Sequence, residues 1–227
     1  MIPLVHDFAG ETVLVVGGGS VGSRKARRFA SEADVVVVSP RFAEDLREFE
    51  VGTDGDAAVG GSLELVREAV DADDVDTWVE RTDPALVVAA TDDAAINAAA
   101  EAAARKRGAL INRTDESGAR DADSVVVPAT VEEDPVTVAI SSGGTSPALS
   151  RYLRQRIEAE IEGAGAMAEL TGELREELQA EGVDPDVRRD AIRAVVRSSP
   201  VWKALQAGDT NARQEAERVV QKTCRNS

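Results

Sequence analysis

The sequence predicts an α/β fold: a parallel sheet covered by helices, then a small β region, then a helical C-terminal region. Three observations carry this. The apolar run Thr12-Val13-Leu14-Val15-Val16 ends in a glycine turn, Gly17-Gly18-Gly19-Ser20-Val21-Gly22, that opens directly into a helical pattern. Continuous apolar runs then alternate with helical stretches as far as Asn112, as expected for strands buried on both faces of a parallel sheet. After Asp115 the pattern changes to two β segments and then to helices alone. A glycine turn between strand and helix makes the first part Rossmann-type.

The elements follow in order. Residues 20–31 read as a helix with Val21, Ala26, Phe29 and Ala30 on its inward face. Residues 35–38 form a second buried strand, closed by Ser39-Pro40. Leu86-Val87-Val88-Ala89-Ala90 is a third, and Thr91-Asp92-Asp93 can cap the alanine-rich helix that runs to Arg107. Gly108 stops that helix before the strand Ala109-Leu110-Ile111-Asn112. Residues 50–83, rich in Gly, Asp and Glu, yield a helix over 63–70 and a strand near Ala57. Val125-Val126-Val127-Pro128-Ala129 and Val136-Thr137-Val138-Ala139-Ile140, separated by the acidic turn Glu132-Glu133-Asp134-Pro135, suit an antiparallel pair. Helices are expected at about 147–161, 166–181, 185–197 and 212–222, with Gly182, Pro200 and Gly208 as punctuation.

Composition narrows the function. With 42 acidic and 26 basic side chains the formal charge is −16, which argues against nucleic acid and anionic membranes as partners. Disorder is disfavoured by 43% hydrophobic content arranged in periodic segments. A halophilic surface, built to stay soluble in concentrated salt, accounts better for the charge. The lone Cys224 and lone His6 exclude a disulfide within the chain and leave no Cys/His cluster, so no bound metal is expected. No secretory signal is visible and no apolar run approaches the ~20 residues that span a bilayer, so a soluble, cytoplasmic protein is expected.

The glycine turn has a chemical use. Gly17 permits the tight turn, Gly19 lets backbone approach a pyrophosphate, and Gly22 lets the helix pack closely on the strand. The N–H groups at Ser20, Val21 and Gly22 and the helix dipole then favour a phosphate anion. The acidic ribose ligand common at the end of strand two is missing, and Ser39-Pro40-Arg41 stands there instead. Arg41 can meet the 2′-phosphate of NADP, or lie solvated beside an adenosine held by backbone contacts.

Four segments in fixed order carry a more specific resemblance: residues 15–26 around the glycine turn, Ala89-Ala90-Thr91-Asp92-Asp93, Asn112-Arg113-Thr114-Asp115, and Ser141-Ser142-Gly143-Gly144-Thr145-Ser146-Pro147-Ala148-Leu149. Together they resemble the precorrin-2 dehydrogenase/sirohydrochlorin ferrochelatase family, the siroheme synthases. No methyltransferase segment follows, so the chain is similar to the stand-alone form. The resemblance implies NAD-dependent oxidation of precorrin-2 to sirohydrochlorin, with ferrous iron inserted as a further substrate in some members. It also implies three regions: a Rossmann NAD-binding domain over 1–115, a dimerisation β region over 116–146 and a helical domain over 147–227, assembled as a homodimer.

The resemblance places the family's proton-handling aspartate on Asp115, and a serine phosphorylated in some relatives on Ser142. General-base help of this kind is worth about 10²–10⁴-fold. Gly17, Gly19, Ser20, Val21, Gly22, Ser39, Pro40, Arg41 and Thr91 are expected at the cofactor, and Arg113, Ser142, Gly143, Gly144 and Thr145 at the tetrapyrrole. Because that substrate is a polycarboxylate, Arg113, Arg120, Arg151, Arg154 and Arg156 are candidates for a local basic patch. Two features depart from the family pattern: the segment 116–127 contains Asp121 and Asp123 and lacks the aromatic common before Pro128-Ala129, and the region 50–83 is longer and more acidic than expected.

Two rival readings share part of this pattern. A dehydrogenase without chelatase activity needs Asp115 equally. A nucleotide-sensing regulatory domain shares the glycine turn, but such domains usually carry an acidic residue after strand two and lack the Ser-Ser-Gly-Gly-Thr-Ser-Pro segment.

The charge balance yields a direct expectation. Repulsion among acidic side chains is screened as the Debye length falls from about 10 Å at 0.1 M salt to about 3 Å at 1 M. The melting temperature should therefore rise between about 0.1 M and about 2 M KCl. A flat or falling curve by differential scanning calorimetry would remove the halophilic reading.

Overall fold

The computed structural model describes residues 3–53, 60–115, 124–208 and 211–225, without side chains at 50–53. The expected strand near Ala57, and Arg120, Asp121 and Asp123, lie outside the described residues. The chain divides into two compact units, Met1–Val127 and Pro128–Ser227.

The first unit holds a five-stranded parallel sheet in the order β3-β2-β1-β4-β5. Its strands are β1 (Thr12–Val16), β2 (Asp34–Val38), β3 (Ser62–Val66), β4 (Leu86–Ala89) and β5 (Leu110–Arg113). β1 lies between β2 and β4, and Val15 pairs with Val37 on one side and Val88 on the other. Helices α1 (Ser20–Phe29), α2 (Glu44–Thr53), α3 (Asp74–Thr82) and α4 (Ala94–Arg107) connect the strands. The two faces of the sheet bury separate clusters. Val13, Val15, Phe29, Val35, Val37 and Leu46 fill one, while Leu14, Val16, Val75, Trp78, Val79 and Ile111 fill the other. Val13, Leu14 and Val15 are wholly buried, which is why these strands read as unbroken apolar runs.

Residues 63–70 correct the sequence reading: 62–66 form strand β3 rather than a helix. Leu63, Val66 and Val70 mimic helical spacing, but the segment is a sheet edge whose burial alternates along the chain. Gly61 holds it there, since a Cβ on that residue would stand 1.8 Å from the Ala33 carbonyl oxygen. Helix α3 places Val75, Trp78 and Val79 inward at helical spacing, a pattern the acidic composition around it obscures.

The β region also differs from expectation. The antiparallel pair is β6 (Ala129–Glu133) with β7 (Val136–Ile140), so only Asp134-Pro135 separates the strands and both glutamates belong to β6. Val125 instead donates its N–H to the Ile111 carbonyl at 2.8 Å and accepts from Asn112 Nδ2 at 2.8 Å, laying 124–127 beside β5. The apolar run was claimed by the first unit's core, against which Val125 and Val127 pack.

The remaining helices of the second unit are α5 (Pro147–Glu160), α6 (Ala164–Ala180), α7 (Pro185–Val196), α8 (Ser199–Gln206) and α9 (Ala212–Arg225). Met167, Leu170, Leu174, Ala191, Val195, Val201, Ala216 and Val220 form its core. Helix α8 was hidden by Pro200, which ends a helix when interior but is tolerated in the first turn, where it lies here. Among the described residues no helix is long and apolar enough to cross a membrane.

Candidate active site

The glycine turn is pinned from both sides. Gly17 donates its N–H to the Val38 carbonyl at 3.0 Å, and the Gly18 carbonyl accepts from Ala43 N–H at 2.8 Å. Gly17 has φ +114°, a conformation closed to most side chains. A Cβ there would meet the Ala90 carbonyl oxygen at 2.4 Å, and one on Gly18 would meet Phe42 Cδ1 at 2.6 Å. On Gly22 it would stand 1.9 Å from the Gly17 carbonyl oxygen. Gly19 differs: a Cβ there meets nothing within 4 Å. Three glycines are thus required by packing, while Gly19 borders open space at the mouth of α1. Gly19 is also the N-cap, so no side chain satisfies the first-turn amides, and that turn holds no acidic residue. Ser20 and Val21 follow at the open end. A cradle of unscreened backbone N–H groups fits a pyrophosphate.

The turn gathers its neighbours at the C-terminal ends of the strands, where ligands of open α/β sheets collect. Residues 39–42 follow β2 against Gly18. Ser39 is buried and donates its hydroxyl to the Arg41 carbonyl at 2.8 Å, while Pro40 and Arg41 are exposed. Thr91 follows β4 beside Gly17 and is locked by Asn97, which is wholly buried. Asn97 accepts from Thr91 Oγ1 at 2.8 Å and donates Nδ2 to the Thr91 carbonyl at 2.9 Å. Asp93 caps α4 by accepting from the N–H groups of Ala95 and Ile96. Sequence reasoning passed over Asn97. The available signal was a polar residue set into an alanine helix one turn after its cap.

Asp115 follows β5, next to β4: Thr114 donates both N–H and hydroxyl to the Ala89 carbonyl, at 3.0 and 3.1 Å. The Arg113 guanidinium grips the Asp115 carboxylate in bidentate fashion, Nε to Oδ1 at 3.1 Å and Nη2 to Oδ2 at 2.7 Å. These bonds, helped by Asn97, hold the carboxyl below its ordinary value against partial desolvation. The carboxylate is therefore ionised at neutral pH. Its ionised form favours the fold above the unfolded-state pKa, and that contribution is lost as pH falls through the depressed folded value. Arg113 also reaches Glu101 Oε2 from Nη1 at 2.9 Å, so its fork is turned onto carboxylates of the chain itself.

The other candidates lie in the second unit. Ser142 to Thr145 form a turn closed by Thr145 N–H donating to the Ser142 carbonyl at 3.1 Å, with positive φ at Gly143 and Gly144. The Ser142 hydroxyl donates to the Ser146 carbonyl at 3.0 Å and accepts from Ser150 Oγ at 3.0 Å. Ser146 caps α5 by accepting from Leu149 N–H. Beyond this turn, Pro147, Ala148, Arg151, Tyr152 and Gln155 line a concavity of about 480 Å³. Arg154 pairs with Glu158 at 3.6 Å, and Arg156 contacts the Tyr152 hydroxyl at 3.4 Å.

Comparison with known proteins places these features. Residues 4–129 match a family described as putative NAD(P)-binding, and residues 133–160 match the central region of sirohaem biosynthesis proteins. Precorrin-2 dehydrogenase of Methanosarcina barkeri (strain Fusaro / DSM 804) is 31% identical over 221 residues, covering 96% of this chain and 93% of that protein. The chain belongs to the precorrin-2 dehydrogenase family. Siroheme synthase of Pseudomonas fluorescens (strain SBW25) is 35% identical over 222 residues, 96% of this chain but 43% of that protein. The chain therefore spans less than half the length of such siroheme synthases. The solved structure of SirC, a precorrin-2 dehydrogenase, shares the fold with a TM-score of 0.64 at 20% identity, over 98% of this chain and all of that one. In this family member the first unit is a nicotinamide-dinucleotide-binding domain, and the matched central region runs from the end of β6 through α5.

The contrast between Gly19 and Gly22 is testable. Gly19→Val should fold normally but weaken dinucleotide binding at least about tenfold, a loss of about 1.4 kcal/mol. Gly22→Val should instead destabilise the domain by about 1–3 kcal/mol or more through overpacking. Calorimetric titration with NAD, together with thermal melts, separates the two outcomes. Unchanged affinity in folded Gly19→Val would displace the pyrophosphate from this turn.

Proposed function

We propose that the chain oxidises precorrin-2 to sirohydrochlorin, with NAD as acceptor and Asp115 as the group that receives a proton. The observation that carries this reading is an ionised carboxylate held at the C-terminal end of β5, on the same sheet edge as the glycine cradle. When bound, the nicotinamide supplies a hydride acceptor. Gly19, Ser20, Val21 and Gly22 hold the pyrophosphate through backbone N–H groups. Ser39, Pro40 and Thr91 border the rest of the dinucleotide, and Arg41 is the residue whose contact with a 2′-phosphate would favour NADP.

Conjugating the macrocycle requires a proton to leave as well as a hydride. Asp115 accepts it because its carboxylate is already free of its own proton and still partly exposed, at 28% of its side chain. Arg151 and the Ser142-Gly143-Gly144-Thr145 turn are the second unit's candidates for the substrate's carboxylates, the first as a cation and the second through backbone donors.

We further infer a two-fold homodimer through the second unit. Helix α5 buries none of its side chains, and Leu149, Tyr152 and Leu153 stand 48%, 54% and 37% exposed on it. An apolar helix face of this kind is covered most simply by its symmetry mate. Light scattering in molar KCl should give twice the chain mass, and a monomer mass would sink the dimer.

Asp115→Asn decides the chemistry. Turnover should fall by about 10²–10⁴-fold while dinucleotide binding persists. The measurement is anaerobic single-turnover formation of sirohydrochlorin from precorrin-2, followed by absorbance with NAD and then NADP. In the wild type the rate should hold down to acidic pH, failing only below the ordinary aspartate range because the Asp115 pKa is lowered. A near-normal rate in the variant would move the base elsewhere, with Asp92 next to be tested.

A further inference from the structure

We propose that Glu101, on α4, is a positioning residue: it anchors Arg113, whose fork in turn fixes the orientation of the Asp115 carboxylate. The inference rests on the reading of Asp115 as proton acceptor and adds the means by which that group is aimed.

The geometry is a column on one face of a helix. Asn97, Glu101 and Arg105 follow one another at intervals of four along α4, so they stack along one face of the helix. Each reaches a different part of the same network. Asn97 ties Thr91 and supports Asp115, Glu101 accepts from Arg113 Nη1 at 2.9 Å, and Arg105 Nη2 donates back to Glu101 at 2.7 Å. Charges therefore alternate along the chain Arg105, Glu101, Arg113, Asp115. Burial makes the alternation matter, because the Arg113 and Glu101 side chains are only 10% and 16% exposed while Asp115 is 28% exposed. The less exposed members are the ones that do not have to meet substrate.

The planar guanidinium explains how the anchor works. Nε and Nη2 form the edge that grips Asp115, and Nη1 points to Glu101. Two anchors on different atoms of one rigid plane restrict the orientation in which Asp115 is held. A flexible ammonium could not do this. Arg113 is thus committed to carboxylates of the chain and serves the substrate indirectly. The lowered Asp115 pKa agrees with this, since its largest cause is the Arg113 hydrogen bond. Among the described residues, the charged groups in this network with Asp115 are Arg113 from β5 and, behind it, Glu101 and Arg105 from α4. On α3, Asp76 and Glu80 are engaged by Lys106 and Arg107 at the far end of α4.

The test compares Glu101→Ala, Glu101→Gln, Arg113→Lys and Asp115→Asn in the full chain, with NAD titration calorimetry to verify that each variant keeps its cofactor site. Misaiming the base should lower kcat of Glu101→Ala by about 10–10²-fold with KM little changed. Glu101→Gln keeps an oxygen for Arg113 Nη1 and should recover most of the rate. Arg113→Lys keeps the cation but loses the fork. Its kcat should fall similarly, and the acid limb of its pH profile should move up toward the ordinary aspartate range. If Glu101→Ala and Arg113→Lys keep wild-type kcat and acid limb while Asp115→Asn is inactive, the positioning role is overturned and the base stands. A Glu101→Ala loss confined to KM or to NAD affinity, or no recovery in Glu101→Gln, also overturns it. A near-normal Asp115→Asn removes the base and the positioning role together.

Discussion

The approach of Gly22 to Gly17 fixes the geometry on which the nucleotide-binding end of the sheet depends. A Cβ on Gly22 would lie 1.9 Å from the Gly17 carbonyl oxygen, so α1 can begin where it does only because that atom is missing. The same contact sets the start of α1 directly over the end of β1, with Gly19 as its cap and its first-turn amides unscreened by any side chain. Gly17 and Gly18 then bring in the neighbours, one against Ala90 and the other against Phe42 and Ser39. The site is built by backbone approaching backbone, which leaves room for a ligand only where Gly19 opens outward.

The other half of the site is electrostatic. In a chain with a formal charge of −16, an ionised aspartate at the proposed site needs local compensation. The Arg113 guanidinium supplies it at 2.7 Å, in a partly desolvated setting where a charge-assisted hydrogen bond is stronger than at an exposed surface. Asn97 adds a neutral tie that locks Thr91 in the loop after β4, and it helps to lower the Asp115 pKa. The second unit follows another logic. A short hairpin meets the start of α6 through Glu133, which accepts from Gly163 N–H at 2.6 Å, and Gly165 packs on the Asp134 carbonyl. Arg213 of α9 is bound by Glu173 and Glu177 of α6 and by Glu217 of its own helix, so acidic excess is partly absorbed in cross-helix pairs.

The sequence by itself determined the elements whose burial is complete and the turn whose chemistry is local. β1, β2, β4 and β5 are legible because both faces are covered and their apolar runs are unbroken. The glycine turn, the Asp93 cap and Gly108, at φ +73°, are legible because they satisfy backbone groups within a few residues of themselves. Tertiary structure decided what depends on distant partners. Residues 62–66 became an edge strand because β2 and Ala33 were there to receive them, although their apolar spacing also suits a helix. Residues 125–127 joined the first core and left the hairpin to start at Ala129, since a free β5 edge bound them more effectively than a second strand. Asn97 and Glu101 look like ordinary helix residues in the sequence, and Arg113 reads there as a group for the substrate. Only the packing of α4 against β5 turns them toward Asp115, because ion pairs across elements are set by three-dimensional proximity, which residue spacing along one chain does not encode.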